Sequence, residues 1–185
     1  MIGRSGRMKL IKLAVLLACI MTGSVSAVWA DGLIVYGDSW AMTIAEPPGW
    51  IGDTQSGAVN GMNIVFYPKG SRWTDSPVTI YGMVLNIKPD NIKHQRSEDR
   101  RLNEEHFGKN IRWRDIEIAK PYIAGQLYAG AEMLAASYEK MVWIGNPKNG
   151  VVVLFVLNAR NGKPQDSVIN LFDTLVRSVS LMQKK

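Results

Sequence analysis

Thiol and imidazole chemistry are nearly missing from this chain: its 185 residues include one cysteine, Cys19, and two histidines, His94 and His106. A single cysteine excludes an intramolecular disulfide scaffold. No apolar run approaches the roughly 20 residues that a membrane-spanning helix needs. No P-loop, EF-hand loop or dinucleotide glycine fingerprint occurs, so nucleotide and metal cofactors have no support and none is expected. Low-complexity segments, internal repeats and Ser/Pro linkers are also missing. With 46% hydrophobic and 21% charged residues, neither a disordered tail nor a collagen-like chain fits.

The formal charge of +6 is unevenly placed. Arg4, Arg7, Lys9 and Lys12 all precede the first acid, Asp31, and the chain beyond residue 30 has 18 Lys and Arg against 16 acids. That remainder, near +2, lacks the basic footprint of a nucleic-acid binder. Residues 1–30 have the three parts of a secretory signal. A basic stretch leads into the nine apolar residues Leu13 to Met21, and small residues follow, with Ser26-Ala27 and Trp29-Ala30 as cleavage points. Ala30 is favoured, because polar Asp31-Gly32 follows it. Met8 opens a complete signal of its own. Leu16-Leu17-Ala18-Cys19 resembles a lipobox, in which the cysteine carries a lipid, although Ile20-Met21 replaces the usual polar tether. Otherwise Cys19 leaves with the signal, and an exported chain without disulfides suits a bacterial periplasm.

Residues 31–185 are long enough for one domain that buries about 70% of its unfolded surface. Leu33–Tyr36, Trp40–Ala45, Asn63–Tyr67 and Val78–Ile87 read as strands, with Pro47-Pro48 stopping the second. In Val78–Ile87, apolar residues fall on both faces: Val78, Ile80 and Val84 on one, Tyr81, Met83, Leu85 and Ile87 on the other. Asp90 and Gly108 bracket a charge-dense helix over Lys93–Glu105, in which Glu105 and Lys109 have the favourable i,i+4 order. Ile111–Ile118 reads as a half-buried strand. Leu127–Tyr138 is ambiguous: its Ala, Leu and Met suit a helix, its glycines bends between strands. Met141–Ile144 and Val151–Leu157 form a hairpin whose second arm, seven apolar residues unbroken, is the expected central strand. Pro164 is placed in the first turn of a C-terminal amphipathic helix carrying Val168, Leu171, Phe172, Leu175, Val176 and Val179 as one stripe. The expectation is an α+β fold, a mostly antiparallel twisted sheet flanked by helices.

Gly37-Asp38-Ser39 after an apolar strand resembles the first block of GDSL-type esterases, with Ser39 as nucleophile. That chemistry needs an Asp-x-x-His base near the C-terminus, and neither histidine supplies one. His94 and His106 are twelve residues apart, about 120° around a helix. They share no face and form no metal pair. Arg96, Arg100 and Arg101 are diluted by Glu98, Asp99, Glu104 and Glu105, as in a solvated helix face. The remaining concentration is Tyr67-Pro68-Lys69-Gly70-Ser71-Arg72-Trp73. There Tyr67, Lys69, Arg72 and Trp73 put two cations beside two aromatics around a turn, a pattern able to form an anion-recognising rim.

Three segments in order carry a family resemblance: Ile44-Ala45-Glu46-Pro47-Pro48-Gly49-Trp50, Gly61 to Gly70, and Val151 to Ala159 followed by the helix containing Phe172-Asp173-Thr174-Leu175-Val176-Arg177-Ser178. They resemble the opening strand and Pro-Gly-Trp turn, second hairpin, and closing strand and helix of the PsbP-like family. That fold is shared with a nuclear-import factor binding the Ran GTPase and with bacterial envelope proteins of the DcrB type. The resemblance implies an antiparallel sheet flanked by helices and a non-enzymatic accessory role. Photosynthetic members assist a manganese–calcium centre, but no residue cluster here matches a metal site. The resulting expectation is an exported periplasmic binding or accessory protein, meeting an unidentified protein or small molecule in the cell envelope. The alternatives are a lipid-anchored envelope-assembly factor using Cys19 and, behind it, a serine hydrolase using Ser39.

Overall fold

A computed structural model describes residues 32–118, 123–148 and 150–183. The expected signal segment, with its expected cleavage points and Cys19, lies outside the described residues. In chain order the elements are β1 (Gly32–Tyr36), β2 (Trp40–Ala45), β3 (Trp50–Asp53), β4 (Ile64–Pro68), β5 (Val78–Leu85), α1 (Ile92–Phe107), β6 (Arg112–Ile116), β7 (Leu127–Leu134), β8 (Tyr138–Asn146), β9 (Val151–Ala159), α2 (Asp166–Arg177) and β10 (Ser180–Gln183). A seven-stranded sheet has the order β3-β4-β5-β9-β8-β7-β6, and a smaller sheet the order β1-β2-β10. All of these neighbours pair antiparallel. The α+β architecture with a predominantly antiparallel sheet is therefore as expected.

β9 is the middle strand, and its sequence dictates the layering. Val151, Val153, Phe155 and Leu157 point into one core, while Val152, Leu154 and Val156 point into a second core on the opposite face. The first core is closed by α2, through Phe172, Leu175 and Val176, and by the small sheet, through Met42, Ile44 and Leu181. The second is closed by α1, with Ile92 buried and Phe107 packed beside it. β5 divides as its alternation predicts, Val78, Ile80 and Val84 joining the first core and Tyr81, Met83, Leu85 and Ile87 the second.

α1 has little apolar surface and is held by charge instead. Arg96 reaches Asp115 on β6 at 3.0 Å and the Gly130 carbonyl on β7 at 3.4 Å. Its outer face carries Arg100–Glu104 at 2.7 Å and Arg101 clasped between Glu98 and Glu105. The expected Glu105–Lys109 pair is replaced by Glu105–Arg101, because Lys109 falls in the short helical turn Gly108–Asn110 beyond the helix end. Asp90 does not cap α1 either: it sits within the turn Pro89–Asn91, and Asn91 occupies the cap position without a side-chain bond. That turn is pressed against Gly145 of β8, where a methyl group would come within about 3.0 Å of Pro89 Cβ. Gly108 terminates the helix as expected, its N–H donating to the Glu104 carbonyl.

Leu127–Tyr138 resolves as strand β7, a bend, and the first residue of β8. Ala129, Ala131 and Met133 alternate toward α1, so the small residues that suggested a helix serve close approach of one. Two strands escape sequence reasoning. β3 begins directly after the prolines, where Trp50 N–H donates to the Pro47 carbonyl at 3.0 Å and turns the chain from the small sheet to the large one. β10 follows α2 at once; the helix stops at Arg177, and Ser178 Oγ both donates to the Leu175 carbonyl and accepts the Ala45 N–H. Pro164 precedes the cap residue Gln165 and so lies two residues before the first helical residue, Asp166, outside the first turn expected for it.

Gly82 of β5 faces Phe155 of β9 across the ladder, and a Cβ there would meet the ring at 2.6 Å. Gly82→Ala is expected to lower stability in urea titrations by about 1–3 kcal/mol through overpacking. Against a Phe155→Leu background the same change should cost markedly less; equal costs in both backgrounds would exclude the clash as cause.

Candidate functional site

The turn singled out in the sequence is a fixed platform. β4 ends at Pro68, and Gly70 takes a φ of 87°, a left-handed value that glycine adopts without strain. Lys69 N–H donates to the Gly49 carbonyl at 2.8 Å, Ser71 Oγ to the Pro68 carbonyl at 2.7 Å, and Ser76 N–H to the Arg72 carbonyl at 2.9 Å. From β9's end, Arg160 donates to the Thr74 carbonyl at 2.6 Å. Two of the four named side chains already face carboxylates: Tyr67 donates its hydroxyl to Asp53 at 3.2 Å, and Arg72 Nε donates to Asp75 at 2.8 Å. The Ser56 hydroxyl and backbone amides hold the Asp53 carboxyl below its ordinary value, against a partial desolvation effect. Trp73 is half-buried. Lys69 is exposed, and its ammonium has no side-chain partner among the described residues.

Ser39 is exposed in the bend between β1 and β2. His94 and His106 are exposed on α1, which packs on the opposite face of the large sheet from the small sheet. Neither imidazole is therefore placed to activate that hydroxyl. Among the described residues, no three His, Cys, Asp or Glu side chains gather where a metal ion could be held.

The register assembles a second polar feature that no local motif announces. Arg114 of β6 lies opposite Glu132 of β7, which lies opposite Lys140 of β8. Arg114 pairs with Glu132, and the Lys140 ammonium meets both oxygens of Asp173 on α2 at 2.6 and 2.8 Å. The result is a row of alternating charge across the sheet face beneath α2. Lys140 is 10% exposed and also lies 5.9 Å from the Phe172 ring centroid. Beside this row, a cavity of about 240 Å³ is lined by Arg112, Arg114, Lys163, Trp113, Leu134 and Tyr138, together with Met133 and Glu132. Burial and the Glu132 carboxylate push the Tyr138 hydroxyl above its ordinary pKa. A second depression of about 470 Å³ between α1 and β6–β7 is already bridged by the Arg96–Asp115 pair.

On the α1 face, the Glu139 carboxyl of β8 is raised in pKa by burial, opposed by the Asn158 amide that donates to it at 2.8 Å. Asp99 of α1 is likewise raised by burial, opposed by Gln95, which donates to it at 2.8 Å. Sequence reasoning missed Lys140, Glu132, Asp173 and Glu139. The available cue was Glu139-Lys140 standing between Tyr138 and Met141, two charges in a segment that continues as apolar strand.

No family model matches the chain, and no curated protein does. Among solved structures, the solution structure of cyanobacterial PsbP (CyanoP) from Synechocystis sp. PCC 6803 is similar at a TM-score of 0.55 and 18% identity, covering 86% of this chain and 96% of that one. At that identity the likeness shows the fold, which is PsbP-like.

The two ends of the Lys140–Asp173 pair are unequally sheltered, since Asp173 is 31% exposed. Asp173→Ala strands an ammonium in the core and is expected to cost about 2–3 kcal/mol; Lys140→Met leaves a carboxylate that water reaches and should cost under about 1 kcal/mol. Chemical denaturation of both variants and the double variant reads this directly, and equal single costs would contradict it. Glu139 carries the opposite sign. Its raised folded pKa means that the charged form weakens the fold above that pKa, and the penalty disappears as pH falls to below the unfolded pKa. Glu139→Gln should therefore raise the melting temperature at pH 7, with a gain that vanishes near pH 3.

Proposed function

We propose that the chain is a non-catalytic accessory protein, exported to the periplasm or beyond, that holds a protein or small-molecule partner on the Tyr67–Trp73 turn. The carrying observation is the turn itself. Hydrogen bonds from Ser71 within it and from Ser76 and Arg160 outside it fix the backbone, while Lys69 is an exposed cation without a side-chain partner among the described residues, in the same turn as the half-buried Trp73. A turn whose backbone is already fixed has less conformational freedom to lose on binding. Arg72 supplies a second cation, which an acidic partner group can share with Asp75.

Export is supported by the basic, apolar and small-residue segments preceding Asp31. The accessory role is supported by the PsbP-like fold, and a cell-envelope setting only by analogy with envelope proteins of the DcrB type, which share that fold. A lipid-anchored variant of the same reading is favoured by Leu16-Leu17-Ala18-Cys19.

The test is intact-mass measurement of the protein isolated from its own envelope, followed by titration of whatever partner co-purifies. A mass beginning at Asp31 is the expected outcome; a lipid-bearing mass beginning at Cys19 selects the anchored variant, and an unprocessed chain overturns export. Lys69→Ala with Arg72→Ala should weaken partner affinity at least tenfold at unchanged melting temperature. Unchanged affinity removes the turn from the interface.

A further inference from the structure

The cavity beside β6 is independent of that turn and has the chemistry of a small-ligand site. Two of its cations, Arg112 and Lys163, are exposed and have no hydrogen-bond or ion-pair partner among the described residues, whereas Arg114 is engaged by Glu132. Tyr138 is 3% exposed, and its hydroxyl has no well-aligned hydrogen-bond partner. A buried hydroxyl so poorly paired costs the folded chain stability, and an acceptor entering the adjoining cavity completes it. The Glu132 carboxylate raises the hydroxyl's pKa by its charge and a poorly aligned hydrogen bond, but it is shared with Arg114.

We propose that this cavity binds a small monocarboxylate with an apolar body, its carboxylate held by Arg112 and Lys163 and one oxygen accepting the Tyr138 hydroxyl proton. Size, charge and lining each narrow the class. A volume of about 240 Å³ corresponds to roughly eight waters, which suits a ligand of few carbons. On this face of the sheet the apolar lining is Leu134 and the Tyr138 ring, while Trp113 and Met133 turn their side chains to the other core, so the non-ionic part is hydrocarbon. Guanidinium recognises the planar carboxylate in fork geometry. A dianion such as phosphate meets about twice the repulsion from Glu132 at the same wall that a single negative charge meets. The same chemistry is offered by a free short-chain acid and by the C-terminus of a peptide ending in an apolar residue.

Isothermal titration of the purified protein with hexanoate, hexanamide, inorganic phosphate, and a leucine-terminated pentapeptide with free or amidated C-terminus tests this. Saturable hexanoate binding is expected, with hexanamide and phosphate at least tenfold weaker. Peptide binding that needs the free carboxylate assigns the site to chain termini, and hexanoate binding alone assigns it to free acids. Arg112→Ala with Lys163→Ala should weaken binding at least tenfold, while Lys69→Ala should not alter it. Tyr138→Phe should weaken hexanoate severalfold and leave the melting temperature of the unliganded protein equal or higher. A lowered melting temperature would mean that the hydroxyl has an internal partner, overturning its role. Phosphate matching hexanoate, insensitivity to the rim substitutions, or binding of neither hexanoate nor the free-acid peptide overturns the proposal.

Discussion

A strand that is apolar on both faces cannot exist at a surface, and β9 imposes that constraint on everything else. Seven successive residues from Val151 to Leu157 are at most 9% exposed, so the chain must cover two faces rather than one. The covers differ in chemistry. Beneath α2 the closure is hydrophobic, with Phe172, Leu175 and Val176 fully buried. Beneath α1 the sheet offers Trp143 and β9's Val152, Leu154 and Val156 beside small and sulfur-containing side chains, and the helix, which buries only Ile92, is also moored by Arg96 to Asp115 and to a β7 carbonyl. A loss of screening or a change of salt therefore acts on the two layers unequally.

Much of this architecture was legible because it follows from periodicity. The two-faced alternation of β5, the unbroken run of β9 and the stripe on α2 each state burial directly. What stayed hidden came from relations between segments. Leu127–Tyr138 looked ambiguous because Ala129 and Ala131 are small for the sake of α1, which a local window does not contain. β3 and β10 are four residues each, too short for a period to register, and both exist because a partner strand passes alongside. The row Arg114–Glu132–Lys140–Asp173 joins four elements whose register no one of them specifies. The turn at Tyr67–Trp73 was visible as composition, while its bracing by Arg160 was not.

The buried polar groups divide into those completed internally and those left open. Lys140 has both oxygens of Asp173, and Glu139 has the Asn158 amide. Tyr138, one residue before Glu139, faces the other side of the same strand, where its proton has only a poorly aligned contact with the Glu132 carboxylate that Arg114 also holds. Neighbouring positions on β8 thus serve unlike ends: one pins a helix, one sets a pH response, and one opens onto a cavity.

The small sheet joins distant parts of the chain: β2 pairs on one side with β1 and on the other with β10, and the Ala45 amide is bonded to Ser178, 133 residues away. During vectorial synthesis the β1–β2 hairpin emerges well before the strand that completes it. Until β10 arrives, Met42 and Ile44 lack the α2 and β10 side chains that bury them in the finished fold. Closing so long a loop is slow relative to local hairpin formation. The last strand is in effect a latch, and the interval before it closes is the period in which a nascent chain of this kind remains threadable, sticky and open to a chaperone.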